Sequence, residues 1–318
     1  MSPSADLNPP ATAKPVMKSK SQLDPLVTGV DVRLACRDGS HTGTTSGLAP
    51  TYLQANLIIL PSRYADDFRI LCARNPVPCP LIAESESLGS WNKLKSWIEG
   101  VEGHGVASEL DIRRDTPKYM VYKDSKLVKF QCDDIVEEWT EDHVAFFIGC
   151  SFSFESALTN AGLPPRHTVM NRMISMYRTN VPLNPAGVFS GGTYIMSMRP
   201  YKRSEIEEVR RITRPYIATH GEPIAWGWEA VKRLGIVCID KPTWGDAPLT
   251  SDGRPLGEAE GDEENIPVFW GCGVTPQEVV TSAGLKGMIM GHAPGHMIVL
   301  DCRDWDVVKG SLTDWSCP

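Results

Sequence analysis

No stretch of this 318-residue chain is long and apolar enough to cross a bilayer as a helix. Its longest apolar runs, such as Leu57–Pro61 and Val144–Gly149, fall far short of the roughly 20 residues a crossing needs. The start of the chain lacks the hydrophobic stretch of a secretory signal. Residues Met1–Asp24 contain no arginine and are rich in Pro, Ser, Ala and Lys. They read as a flexible leader with little to pack, and poorly as a transit peptide. The expectation is a cytoplasmic protein with no membrane partner; the mitochondrion is the alternative. Positive charge is also scarce: 32 Lys and Arg against 39 Asp and Glu give a net charge of −7. Without a basic stripe there is no general nucleic-acid surface, although a local cationic pocket is still allowed.

Paired cysteines are missing as well. The nine cysteines are an odd number and scattered, and none forms a CxxC unit. Cys72 and Cys79, with six residues between them, do not have a common zinc spacing, so reduced thiols in a reducing compartment are expected. The chain contains no GxSxG elbow, no HExxH helix and no dinucleotide GxGxxG unit. A divalent metal is not supported by any ligand spacing, so no cofactor is expected.

What is present suits a globular α/β protein: 42% of residues are hydrophobic and 22% charged, enough to build a substantial core. Pro50–Leu60 carries apolar side chains and helix formers between two prolines and reads as a helix, followed by a second at Ala65–Ala73. A short helix is expected around Trp91–Ile98. Lys118–Tyr122 and Leu127–Phe130 read as a hairpin, and Val144–Ile148 as a buried strand. Ile174–Tyr177, Thr193–Met198, Gly235–Ile239, Val268–Trp270, Met288–Met290 and Met297–Leu300 are further strand candidates. Ser204–Ile217 is expected as a helix with Ser204 and Glu207 at capping-box spacing. Ser251–Asn265, rich in Gly, Asp and Glu, reads as an exposed acidic loop. The resulting fold class is α/β: a mixed-sheet main domain over 25–164 and 220–318, with a smaller inserted two-layer α+β domain over 165–219.

Several short segments have the residue types that chemistry needs. In Gly149-Cys150-Ser151-Phe152-Ser153-Phe154-Glu155 a buried strand runs into a turn and then helix-compatible residues. Such a turn presents free N–H groups and a positive dipole end to an anion, and would lower the pKa of the Cys150 thiol. The plainer reading is capping by Ser151 or Ser153. In Trp270-Gly271-Cys272-Gly273-Val274-Thr275-Pro276-Gln277-Glu278, Thr275 suits an N-cap, Pro276 the first helical position and Glu278 a capping box. Ligands in open α/β sheets sit beyond the carboxyl ends of strands, which places both turns at one site.

His292 and His296 flank Ala293-Pro294-Gly295, which breaks the helix a metal-binding pair would need. Either imidazole suits general acid or base work. Arg178 and Arg199 lie on neighbouring strand candidates, where a guanidinium would grip a carboxylate through two parallel hydrogen bonds or serve an ordinary ion pair. His220 and Asp246 stand at element ends. The small-residue loop Thr42–Gly47 precedes the helix expected at Pro50–Leu60 and could cradle an anion, although it lacks the lysine of a P-loop.

Together these motifs resemble the D-glutamate cyclase family, also described as hydro-lyases. The matching blocks are Thr42-Gly43-Thr44 with Gln54-Ala55-Asn56; Arg74-Asn75-Pro76 with Cys79-Pro80; Phe147 through Glu155; Met176-Tyr177-Arg178-Thr179-Asn180; Ser197-Met198-Arg199-Pro200; His220-Gly221; Pro267 through Trp270 with Cys272 through Pro276; and His292 through Met297. They run from about Val32 to Asp301 in the family's order.

The resemblance implies a two-domain α/β fold and a hydro-lyase reaction on a small carboxylate or amino acid. The name-giving case is closure of D-glutamate to 5-oxo-D-proline with loss of water. It points to Ser151, Ser153, Tyr177, Arg178, Asn180, Arg199, His220, Cys272 and Thr275 for binding. His292, His296, Cys150, Glu155 and Asp301 are the candidates for moving protons or attacking. One departure stands out. Where the family has a Gly-Asp-Pro turn, this chain has Ala225-Trp226-Gly227-Trp228-Glu229. Two Trp residues in a pocket wall would suit a substrate larger or less polar than glutamate. The rival readings are a cysteine-dependent amidase or hydrolase and a non-catalytic small-acid binding protein. A homo-oligomer is compatible with all three.

Overall fold

The computed structural model describes residues 26–308; the leader expected over 1–24 lies outside them. The described strands are, in chain order, β1 (Tyr52–Pro61), β2 (Leu81–Ser85), β3 (Leu94–Ser96), β4 (Tyr119–Lys123), β5 (Lys126–Cys132), β6 (His143–Gly149), β7 (Ser175–Pro182), β8 (Thr193–Tyr201), β9 (Ala225–Trp226), β10 (Ile266–Gly271), β11 (Met288–His292) and β12 (Ile298–Arg303). One sheet has the order β3-β2-β6-β1-β11-β4-β5, with β12 also paired to β1. The other has the order β7-β8-β10-β9. The α/β class is the one expected. The named strands of the described residues pair antiparallel rather than in mixed ladders. The second sheet takes strands from both sides of residue 219. No helix among the described residues is long and apolar enough to cross a membrane.

β1 is the centre of the molecule, and it overturns the helix expected over 50–60. Leu53, Ala55, Leu57 and Ile59 join one core cluster while Ile58 and Leu60 join another. A strand covered on both faces reads as an unbroken apolar run, which periodicity does not separate from a buried helix. β6 is built the same way, with Ala145 and Phe147 in the first cluster and Val144, Phe146 and Ile148 in the second. Tyr201, Val268 and Trp270 of the second sheet also enter the first cluster, so the two sheets share a core.

Other expectations are corrected locally. Trp91–Ile98 contains the edge strand β3, not a helix, because Leu94–Ser96 pairs with β2. Gly235–Ile239 forms no strand; Ile236 and Ile239 instead pack beneath the second sheet. The helix expected over 204–217 is Ile206–Thr213, preceded by a short 3-10 turn. There the Glu205 carboxylate accepts from the Lys202 backbone N–H at 3.0 Å, so the capping pair sits earlier than the Ser204/Glu207 pair. The hairpin at β4–β5, the helix Ala65–Arg74 and the strands β6, β7, β8, β10, β11 and β12 lie where expected.

The sheet order aligns the chemistry. β6 and β11 flank β1, each antiparallel to it, so they run in the same direction. Asn56 of β1 pairs with Ile148 of β6, and Ile58 pairs with Gly291 of β11. The ends of β6 and β11 therefore come out on either side of Asn56.

Candidate active site

A cavity of about 250 Å³ opens where these strand ends meet. Both Gly/Cys corners line it, through Cys150–Phe152 after β6 and Cys272–Val274 after β10, together with His292 at the end of β11. Residues more than a hundred positions apart thus share one hollow. Two glycines make the approach possible. A Cβ on Gly149 would lie 1.9 Å from the Ala218 carbonyl oxygen, and one on Gly273 would lie 1.9 Å from Asn56 Nδ2. Neither glycine has positive φ among the described residues; close packing, not turn geometry, requires them.

His292 is the best-defined group in the cavity. Its Nδ1 donates to the Ala293 carbonyl at 2.7 Å, because a carbonyl can only accept. That fixes the tautomer and leaves a lone pair on Nε2. The Gln277 side-chain amide donates to Nε2 at 2.7 Å, and Asn56 Oδ1 lies 3.2 Å away. Burial pushes the imidazole down to about 4, partly offset by the Ala293 hydrogen bond. His292 is therefore neutral at physiological pH with Nε2 accepting from Gln277, and Asn56 Oδ1 is placed to accept a hydrogen bond from Nε2 when the ring is protonated. The loop after it is braced from the Thr42–Gly47 segment. Thr45 Oγ1 donates to the Met297 carbonyl at 2.8 Å, the Thr45 backbone N–H donates to the Gly295 carbonyl at 2.9 Å, and Gln54 donates to the Thr45 carbonyl at 2.8 Å. Ser46 of the same segment lines the cavity.

Arg199 is fully buried and works from behind the wall. Its Nε donates to Glu155 Oε1 at 2.9 Å, and its other nitrogens donate to Ser151 Oγ at 3.0 Å and Ser197 Oγ at 3.2 Å. Phe154 and Trp270 flank the guanidinium, at 5.1 and 5.2 Å from its central carbon to the ring centres. Ser151 and Ser197 both line the cavity, so a buried cation orients two hydroxyls that face it. Burial opposes the charge on Glu155, but Arg199 and His167 outweigh it and hold the carboxyl below its usual range. His167 Nε2 lies 3.3 Å from Glu155 Oε1.

The cysteines behave differently from the expectation that a helix start lowers the Cys150 pKa. Burial pushes Cys150 up to about 12 and Cys272 up to about 11, despite helpful N–H groups at Phe152 and Val274. Both are thiols at neutral pH, because the desolvation of a thiolate outweighs two partial charges. The eight cysteines among the described residues are all free.

The remaining candidates fall outside the cavity lining. Asp301 pairs with Arg33 at 2.9 Å and accepts from Ser108 at 2.6 and 2.7 Å, tying the helix Gly29–Arg37 to β12. His296 donates through Nδ1 to the Pro294 carbonyl at 2.8 Å, while its neighbours Pro294, Gly295 and Met297 line the hollow. His220 is buried with φ +87°, and its Nδ1 donates to the Val77 carbonyl at 2.7 Å. Tyr177 Oη donates to the Ile239 carbonyl at 2.6 Å and Asn180 Nδ2 to the Arg233 carbonyl at 3.1 Å, both bracing the segment after β9. Ser153 Oγ is buried without a partner.

Thr275 is not an N-cap. Its hydroxyl accepts from the Ile195 N–H at 3.0 Å and donates to the Ile195 carbonyl at 3.1 Å, locking the helix Val274–Ser282 onto β8. Glu278 pairs with Arg178 rather than completing a capping box. Trp226 and Trp228 do not line the cavity; Trp226 carries Arg210, and the aromatic lining is Tyr122, Phe152 and Trp244. Sequence reasoning missed Asn56, Gln277, Ser197 and Trp244. Two amides, Gln54 and Asn56, interrupting the otherwise apolar run of β1 were the available signal for Asn56.

The sequence profile of the D-glutamate cyclase family matches residues 144–301, a span containing both corners, Arg199 and His292. Relatives carrying the name "Putative hydro-lyase" match over most of their length. The Schizosaccharomyces pombe protein is 42% identical over 272 residues, covering 86% of this chain and 83% of its own. The Staphylococcus haemolyticus protein is 42% identical over 276 residues, covering 86% and 94%. The Azorhizobium caulinodans protein is 41% identical over 285 residues, covering 90% and 95%. Identity at that level across nearly whole chains establishes the relationship: this chain belongs to the D-glutamate cyclase family of hydro-lyases.

Proposed function

We propose that the cavity binds a small carboxylate-bearing substrate and adds or removes water there, with His292 as the proton carrier. The observation that carries this reading is the meeting of two remote Gly/Cys corners around a buried imidazole with its Nε2 lone pair turned to Gln277 and Asn56. The substrate carboxylate accepts from the Ser151 and Ser197 hydroxyls, which Arg199 holds from behind. In a closure of the D-glutamate to 5-oxo-D-proline type, the substrate amine displaces the Gln277 N–H from His292 Nε2, which takes a proton from the amine as the C–N bond forms. Asn56 Oδ1 accepts from the resulting imidazolium. The tetrahedral oxyanion is held by donors at the corners, and Nε2 returns its proton to the departing hydroxide, which leaves as water. The protons balance when the substrate ammonium first passes one to the side-chain carboxylate, giving amine and carboxylic acid, and His292 relays the second: two protons from nitrogen and one carboxyl oxygen leave as one water, and the histidine ends neutral.

General acid–base help is worth roughly 10²–10⁴ in rate. The high pKa values of both cavity thiols speak against the cysteine-hydrolase rival. The test is incubation with D- and L-amino acids, their lactams and unsaturated acids, read by mass spectrometry for gain or loss of one water. Turnover on one of them, lowered about 100-fold or more in His292→Asn, is the expected result. Turnover unaffected by His292→Asn removes the imidazole from the mechanism.

A further inference from the structure

We propose that a halide ion binds in a second, much smaller hollow beside the active-site cavity, between the short helix Arg166–Val169 and the segment Ala247–Leu249. This hollow holds about 20 Å³, room for a single atom the size of a water oxygen. Arg166, His167 and Arg172 line it, and among the described residues lining it there is no Asp or Glu. It adjoins the active-site cavity at Met173, which lines both.

Two separate observations call for negative charge there. The first is that both guanidiniums are answered by neutral groups alone. Arg166 donates to the Leu249 carbonyl at 3.1 Å and to Asn265 Oδ1 at 2.8 Å, and Arg172 donates to the Ala247 carbonyl at 3.1 Å. Both side chains are half-buried, and a guanidinium withdrawn from water without a counter-charge is costly. The second is a pair of unmet nitrogens. Arg172 Nε and His167 Nδ1 are buried with no hydrogen-bond partner among the described residues. A buried donor left unmet bears its full desolvation penalty. A water molecule would answer the N–H groups but not the charge. A carboxylate, phosphate or sulfate answers the charge but is too large for the space. A monatomic anion does both. With an anion at Nδ1, the His167 ring donates from both nitrogens, and Nε2 meets Glu155 Oε1 at 3.3 Å. Glu155 in turn holds Arg199, which orients Ser151 and Ser197, so the ion braces the buried framework from its outer end.

Crystals of the full-length protein soaked in sodium bromide, measured at the bromine absorption edge, should show an anomalous peak within reach of both Arg172 Nε and His167 Nδ1. In solution, sodium chloride should raise the thermal midpoint more than sodium gluconate at equal ionic strength, and the difference should saturate as a binding curve does. Arg172→Met, and independently His167→Leu, should abolish the bromide peak and shift the chloride dependence to about 30-fold higher concentration or beyond. No bromide peak in this hollow, or bromide only at exposed arginines, overturns the inference. So does a chloride effect equal to that of gluconate, or one that both variants leave in place. If neither variant folds, the bromide map of the unaltered protein decides alone. The carboxylate reading of the larger cavity is independent of every one of these results.

Discussion

Removing the charge of Glu155 tests the buried framework behind the site. Arg199 is wholly enclosed; Glu155 takes two of its N–H groups, while Ser151 and Ser197 take others. Breaking a buried pair by deleting one partner costs about 3–5 kcal/mol, because the remaining charge stays desolvated. Glu155→Gln keeps an oxygen that accepts from Nε, so its loss should fall near the lower end, about 3 kcal/mol. Glu155→Ala also leaves the N–H groups unmet and should approach about 5 kcal/mol. Either is a large part of the roughly 5–15 kcal/mol that folded proteins have in hand. Urea unfolding followed by tryptophan fluorescence and circular dichroism gives both midpoint and slope; a lower midpoint at unchanged slope reports stability alone. The double replacement Glu155→Leu with Arg199→Met should be milder than Glu155→Ala, since no unpaired charge is left. That variant should still lose turnover, because Ser151 and Ser197 lose their anchor. A loss below about 1 kcal/mol in Glu155→Gln would refute the reasoning, as it is the size expected of an exposed pair.

Other consequences are open to measurement. The His292 imidazole should titrate near pH 4 by NMR, well below the ordinary value near 6.5. Since the folded state then binds its proton less readily than the unfolded state, the stability His292 contributes is present above pH 6.5 and is lost as pH falls through about 4. A midpoint near 6.5 contradicts the assigned burial. Iodoacetamide at neutral pH should label Cys150 and Cys272 slowly; rapid labelling of one with loss of turnover would revive the covalent alternative. Gly273→Ala sets a methyl against Asn56 and should lower stability by about 1–3 kcal/mol along with turnover, as seen by melting and assay; an unperturbed protein would show that the corner has room.

The parts of the fold legible in the sequence were those with local signals. The hairpin at β4–β5, the helix at Ala65–Arg74 and the short apolar strand β6 each end at their own turn residues. β1 was illegible because its pattern reports burial on two faces, and the partners that make it a strand, β6 and β11, are far away in sequence. The candidate site divides in the same way. Both Gly/Cys corners and His292 were marked by residue type and do converge. What sequence could not assign was direction. Arg199, Thr275 and Glu278 had the right chemistry, but each is committed to a partner that only the packing supplies: Glu155, Ile195 and Arg178. Asp301 is likewise committed to a partner that only the packing supplies, Arg33, 268 positions away.

The central claim is that the two corners jointly hold a carboxylate beside His292. A crystal structure of the protein with bound 5-oxoproline tests it most directly. The account predicts the carboxylate between Cys150–Phe152 and Cys272–Val274, in contact with Ser151 and with the ring within reach of His292 Nε2. A ligand seated elsewhere, with this hollow left untouched, would contradict it.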